Sequence, residues 1–353
     1  MQNSLNISDP VFVPAERSAL ERRFLRYIKD ERDLPFVWLI LRISLSVVPL
    51  AVALFLVPLG IVWGILGAAF IFLLVYFLGP FTLMLHNTSH RTLFKSEYKK
   101  GNLLIPWVLC PFMGQSPQTY FSHHIGMHHA ENNLPPDKSA TILYRRDSLV
   151  DFLKYFFRFL FVGIIEMSGY FRQSNKRKFL KNAVVGELLF LGMCVALSFV
   201  SLPATLLVFV LPLIIVRFAM MSGNWAQHAF VDPAAPADNY RNSITCINTV
   251  YNQKCFNDGY HIGHHLKPHM HWTDMPVDFQ KNADKYGENQ AIVFESLDYH
   301  QIWWKLMNKR YDQLAEHVVD LGHNFRSKEE IIALRIAEGK LDNTISAKGH
   351  DEA

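Results

Sequence analysis

Two long runs without charge dominate the pattern of apolar and polar positions. From Ile43 to Leu85 there is no Asp, Glu, Lys, Arg or His, a stretch of 43 residues, about twice the ~20 that one bilayer-spanning helix needs. Pro58-Leu59-Gly60 punctuates it, so the run predicts a hairpin of two spans. The second run, Asn182 to Ser222, has 41 residues and carries only Glu187 near its start and Arg217 near its end. Ser201-Leu202-Pro203 divides it into a second hairpin. Arg217 lies five residues from the end of this run, from where its long side chain is expected to snorkel to the interface.

The flanking segments read as surface elements. Leu20, Phe24, Tyr27 and Ile28 predict a short helix before the first span. Leu103 to Gly114 is apolar for only twelve residues and contains Pro106 and Pro111, so it is interfacial or re-entrant. From Leu149 to Phe171 aromatic residues alternate with Asp151, Lys154, Arg158 and Glu166, a pattern suited to a helix lying in the interface plane. Tyr299, Trp303, Leu306, Leu314 and Val318 suggest one amphipathic helix packed on the outside. Ser327 and Glu330 resemble a capping box for a last helix ending near Gly339, before a polar tail. Within the first hairpin, Gly60 and Gly64 sit at the spacing that lets helices approach closely. The expected fold class is an all-α integral membrane protein: four transmembrane helices as two hairpins, with a cytosolic helical cap. The expected organisation is a segment 1–33, one membrane-embedded domain 34–320, and a tail 321–353.

Charge adds orientation. The net charge is +4, and the cations are distributed by topology rather than gathered into a nucleic-acid patch. Six Lys/Arg precede residue 34, fourteen lie between His86 and Asn182, and neither hairpin turn carries any. The positive-inside rule then places both termini and the middle loop in the cytosol. No basic segment precedes an early apolar core, so no cleavable signal peptide is expected. Cys110, Cys194, Cys246 and Cys255 form no CxxC and are expected to be free thiols.

Candidate chemistry resides in the histidines. His261, His264 and His265 fall at i, i+3 and i+4 and are expected to share one helix face. Upstream, His124 and His128 are one helical turn apart, with His129 adjoining; His86 and His90 form an earlier i,i+4 pair; and Asn224 precedes His228 by the same interval. Sixteen histidines in 353 residues would produce a given three-histidine pattern about 0.03 times by chance, and two such triples occur, so scattered interfacial histidines do not account for them. Nine imidazoles exceed the four to six ligands of one ion, which implies two metals. No His-Glu-x-x-His is present, so nothing points to a zinc hydrolase. An all-nitrogen dinuclear site beside a membrane suits iron, dioxygen and an apolar C–H bond. Asn224 could complete a coordination sphere through water or merely cap the end of the span.

His86-x-x-x-His90, His124-x-x-x-His128-His129 and His261-x-x-His264-His265, set around two membrane hairpins, resemble the three histidine boxes of the membrane fatty acid desaturase and hydroxylase superfamily. Asn224-x-x-x-His228 is similar to a fourth element in the acyl-CoA desaturase branch. The resemblance covers roughly residues 36–270. It implies two iron ions held by His86, His90, His124, His128, His129, His228, His261, His264 and His265, with Asn224 acting through water. It further implies O2 as co-substrate, a fatty acyl lipid substrate in a kinked tunnel, and no catalytic residue apart from the ligands. Neither a haem-binding module nor a rubredoxin-like cysteine set is appended, so electrons are expected from a separate donor of ferredoxin or cytochrome b5 type. The expected location is the cell inner membrane or the endoplasmic reticulum. The second box has three residues before its histidine pair, which also resembles the alkane hydroxylase pattern, and His123 is an alternative ligand to His124. His269 and His271 are expected to line an entrance or bind nothing.

A hydroxylase or ketolase on the same scaffold is the nearest alternative activity. A non-enzymatic haem or metal carrier is the alternative from another class, but such proteins place histidines within their spans, and both apolar runs here lack them.

Overall fold

The structure, a computed structural model, describes residues 5–322 and Ser327. It is mostly helical, with four helical stretches long and apolar enough to cross a membrane: Glu31–Leu56, Ile61–His90, Arg177–Ser198 and Leu202–Gln227. The first stretch is two helices, α2 (Leu34–Leu45) and α3 (Val47–Leu56), preceded by α1 (Ala19–Leu25). The break falls at Ser46, whose hydroxyl donates to Arg42 O at 2.6 Å, a competing local bond of the kind that interrupts helices. The second is one unbroken helix, α4 (Ile61–His90). Then come α5 (Leu149–Gln173), α6 (Arg177–Ser198) and α7 (Leu211–Gln227). Both expected hairpin turns are present, at residues 57–60 and 199–201. Glu330, the other half of the expected capping box, and the last helix lie outside the described residues.

The chain divides into two compact units. One comprises Phe12–Gly126 and Met167–Phe218; the other comprises Met1–Val11, Met127–Glu166 and Ala219–Ala353.

In the first unit α3 and α4 pair closely. The indole of Trp63 donates to Leu54 O at 2.9 Å and latches the turn between them. The close approach read at Gly60 and Gly64 is not there, since a Cβ at either would meet nothing within 4 Å. It occurs one turn further on, at Gly67, where a Cβ would stand 2.9 Å from Leu207 Cδ2. Arg217 also departs from expectation. Its helix continues ten residues beyond it, to Gln227, and its side chain does not extend towards that end. Instead its guanidinium donates to Glu187 of α6 at 2.9 Å, and Ser116 Oγ donates to the same carboxylate. Both charged side chains are nearly buried, so in an apolar surrounding each has its opposite charge as partner.

The second unit contains a feature that the all-helical reading did not anticipate, a parallel pair of strands, β1 (Ile244–Ile247) and β2 (Ile292–Glu295). After α8 (His261–Leu266) and α9 (Met275–Glu288), the stretch from Tyr299 to Val318 is not one helix but two, α10 (Tyr299–Met307) and α11 (Tyr311–Glu316). They are separated at Lys309, whose φ is +58°, a left-handed residue of the kind that ends helices. Val318 is instead bridged to Phe294 beside β2. Phe230, Ile244, Phe294, Ile302, Leu306 and Leu314 form one buried core that fixes these elements together. All four cysteines are free thiols.

Candidate metal centre

In the first unit, α4 carries its polar last turn directly out of an apolar span. Asn87, Thr88 and Ser89 bond carbonyls of their own helix, at Leu83, Met84 and His86, while His86 and His90 project from one face. The ring of His124 joins them: ring centroids lie 4.4 Å from His86 and 5.0 Å from His90, and the Nε2 atoms of His90 and His124 are 2.9 Å apart. Tyr120, one turn earlier, stacks on His124 at 5.4 Å. His124 rather than His123 is the member of the box that joins the histidine group.

The second box is not one α-helical face. His124–His128 forms a π-helical turn, wider than an α-turn, and the boundary between the two units falls within it, after Gly126. His128 therefore belongs to the second unit. There His128, His228, His261 and His265 bring their ligand atoms within 4.8 Å of one another. The Nε2 atoms of His261 and His265 are 3.0 Å apart, and those of His261 and His228 are 3.3 Å apart.

The third box, carried by the short helix α8 (His261–Leu266), also splits. His261 and His265 face the four-imidazole group, whereas His264 faces His129, with their Nε2 atoms 2.8 Å apart. Helix geometry explains the split. At about 100° per residue, i and i+4 diverge by only ~40°, but i+3 and i+4 diverge by ~100°. One box can thus address two points.

Side chains that the sequence pattern did not single out aim these rings. The Nδ1–H of His128 donates to Asp137 Oδ2 at 2.8 Å, and Asp137 is held in turn by the Ser139 backbone N–H and hydroxyl. The Nδ1–H of His228 donates to the Asn242 carbonyl at 2.8 Å. Carboxylate and carbonyl oxygens can only accept, so each ring carries a proton on Nδ1 and turns its Nε2 to the interior. Just before His261, the Tyr260 hydroxyl donates to Asp9 at 2.6 Å. Asp9 also accepts the backbone N–H groups of Asn248 and Thr249, at 2.8 and 3.2 Å. Residues 5–11 thus pin the segment leading into the box, and Asp9 is only 4% exposed.

Asn224 is tied up elsewhere. Its amide nitrogen donates to Ser139 O at 3.1 Å and to Tyr155 Oη at 2.7 Å, leaving its oxygen as the atom that a water-mediated role would use. His271 bonds Thr273 at 2.8 Å, and neither it nor His269 is in a histidine group.

The donor set fits a metal ion. Two nitrogens each ~2.1 Å from one ion stand roughly 3.0 to 3.4 Å apart for angles between square and tetrahedral, which the 3.0 and 3.3 Å spacings match. Burial, aided by His128, pushes the His228 imidazole down to about 4. Burial and the surrounding histidines hold His265 well below the usual range. Both rings are therefore neutral near pH 7, the form that ligates metal. No thiolate or carboxylate joins the group among the described residues. Nitrogen-only donors favour a borderline transition metal over calcium or magnesium.

The family model described as fatty acid desaturase matches residues 63–296. No curated protein and no solved structure matches the chain.

Proposed function

The chain belongs to the fatty acid desaturase family, and from that premise we propose that it desaturates a fatty acyl chain, as a thioester or membrane lipid, at a pair of histidine-bound irons. The observation that carries the reading is the convergence of His128, His228 and His261, all buried, with the half-buried His265. These four imidazoles suit one ion, and the five remaining box histidines are assigned to a second because nine ligands exceed the capacity of one. Asn224 is assigned a supporting role through water. When bound, the irons would supply the activation of dioxygen and the oxidising power that an unactivated C–H bond requires.

The rest falls to the chain. Asp137 and Asn242 hold the tautomers of His128 and His228, so their lone pairs need no rearrangement on metal binding. Burial of His128, His228 and His261 limits the access of water that would quench a strong oxidant. Apolar helices bring a lipid substrate to the protein from the bilayer. The overall balance is two hydrogens removed from adjacent carbons, plus two electrons and two protons, reducing O2 to two waters. The two electrons come from a separate one-electron carrier of ferredoxin or cytochrome b5 type, and the histidine boxes and both termini face the cytosol.

The second box favours one other reading, hydroxylation or ketolation on the same scaffold, since His124 and His128 are separated by three residues as in alkane hydroxylases. Expression in cells lacking unsaturated acyl chains, followed by mass spectrometry of total lipids, separates the two. Loss of two hydrogens is expected; gain of oxygen without that loss would refute desaturation.

A further inference from the structure

Two basic stretches distant in the chain lie side by side in the first unit. Lys29 N donates to Leu93 O and Lys95 N to Tyr27 O, each at 2.9 Å, which joins Ile28 to Phe94 as an antiparallel bridge. Lys95 Nζ then reaches the carbonyls of Leu25 and Arg26 at 3.2 and 3.0 Å, closing the end of α1 with a cation. This gathers Arg22, Arg23, Arg26 and Lys29 with Lys95, Lys99 and Lys100, and all but the half-buried Lys95 are exposed. Over residues 16–33 and 91–100, ten Lys/Arg face six Asp/Glu. Two of those acids, Asp30 and Glu31, are already matched by Arg17, Arg32 and Arg91. The seven gathered cations have no carboxylate within ion-pair distance among the described residues.

The ledge also has apolar and aromatic character. Tyr27 and Tyr98 meet edge to face at 4.9 Å, and Phe24 meets Trp38 at 5.6 Å. Leu20, Tyr98 and Leu103 are about half exposed between the cations. Its two stretches directly adjoin the start of α2 at Leu34 and the end of α4 at His90. Cations, amphipathic rings and exposed aliphatic groups beside span ends are the combination suited to the headgroup layer of a bilayer. An acidic protein partner would call for the charge alone.

We propose that this ledge binds anionic phospholipid headgroups in the leaflet where α2 begins and α4 ends. The inference rests on the spans and not on the oxidative reaction. The bridge at Ile28 and Phe94 presents the two basic stretches together, so the protein is expected to gather a shell of anionic lipid at one edge of the first hairpin.

The test uses the full-length protein reconstituted into phosphatidylcholine bilayers containing a minor fraction of phosphatidylglycerol, with lipid retention read by native mass spectrometry. Arg22→Gln/Arg23→Gln/Arg26→Gln should lower the preference for phosphatidylglycerol on the order of a hundredfold, and Lys99→Gln/Lys100→Gln by about thirtyfold. The triple Arg→Lys variant at positions 22, 23 and 26 should retain the preference, and raised salt should weaken it. An unchanged preference in both Gln variants would overturn the proposal, as would an equal loss in a Lys281→Gln/Lys285→Gln control. So would intact lipid preference combined with lost binding of an acidic soluble electron carrier, an outcome that would reassign the ledge to that partner.

Discussion

The two units present histidines by different means. In the first, His86 and His90 stand on the last turns of a 30-residue helix, and their spacing follows from helical register. In the second, four imidazoles arrive from three separate stretches around residues 128, 228 and 261–265, and acceptors such as Asp137 and Asn242 aim them. Register is robust to changes in neighbouring side chains. Convergence through hydrogen bonds is not, because each aiming group can be lost independently.

The largest test of this contrast removes ligands. His86→Ala and His228→Ala should each lower turnover by more than ~100-fold while leaving the protein inserted. If the four-imidazole group and the five remaining histidines each serve one ion, each variant should retain about one iron per chain where the parent is expected to hold about two. Loss of both irons from His86→Ala would show the two groups to be a single cooperative site. His264→Ala should be equally inactive, and full activity would exclude His264 as a ligand.

Next in size is a change that should spare the chemistry and strike the first unit's packing. Glu187→Leu or Arg217→Met alone leaves a charge stranded among apolar helices and should cost about 3–5 kcal/mol of stability. The double variant should recover most of that in thermal unfolding assays. No recovery would mean that one of the pair has a role beyond matching the other.

A smaller effect contrasts the two units directly. Asp137→Asn should weaken iron retention about 10- to 100-fold in chelator competition, whereas Asn87→Ala on α4 should change it little, because Asn87 bonds only its own helix. Asp9→Asn should fall between them, since it disturbs Tyr260 and the approach to His261. Equal sensitivity at Asn87 and Asp137 would break the contrast.

The smallest effect is a pH dependence at a carboxylate outside the histidine groups. Burial raises the pKa of Asp147, but hydrogen bonds from Lys309 and Tyr311 outweigh it and leave the carboxyl below the usual 3.8. A folded pKa below the unfolded one means that the stabilisation is complete above about pH 4 and is lost as pH falls further. Lys309→Met should flatten that acid limb of the melting curve.

The same contrast separates what was legible in the sequence from what was not. His86, His90, His124, His128 and the third box could be found because i, i+3 and i+4 are local intervals. Asp137, Asn242 and Asp9 could not, because Asp and Asn are ordinary surface types and nothing local says that Asp9 will meet Tyr260, 251 positions away. The strand pair escaped for another reason: β1 is four residues long and buried throughout, so it lacks the alternation that marks a half-exposed strand. The division of α10 from α11 turned on one left-handed residue, Lys309, which carries no glycine or proline signal. The pairing of Arg217 was not legible because nothing local says that Glu187, 30 positions away, will meet it.

The docking of residues 5–11 beside the third box also bears on the order in which a ribosome delivers the parts. Ser8 and its partner Asn248 are separated by 240 positions, so at 5–20 residues per second the early segment waits on the order of tens of seconds for its cradle. By then all four long apolar helices have been synthesised. The clamp on the third box therefore closes only after they have been made, and a bulky tag fused ahead of Leu5 would impede the final step of assembly rather than the first.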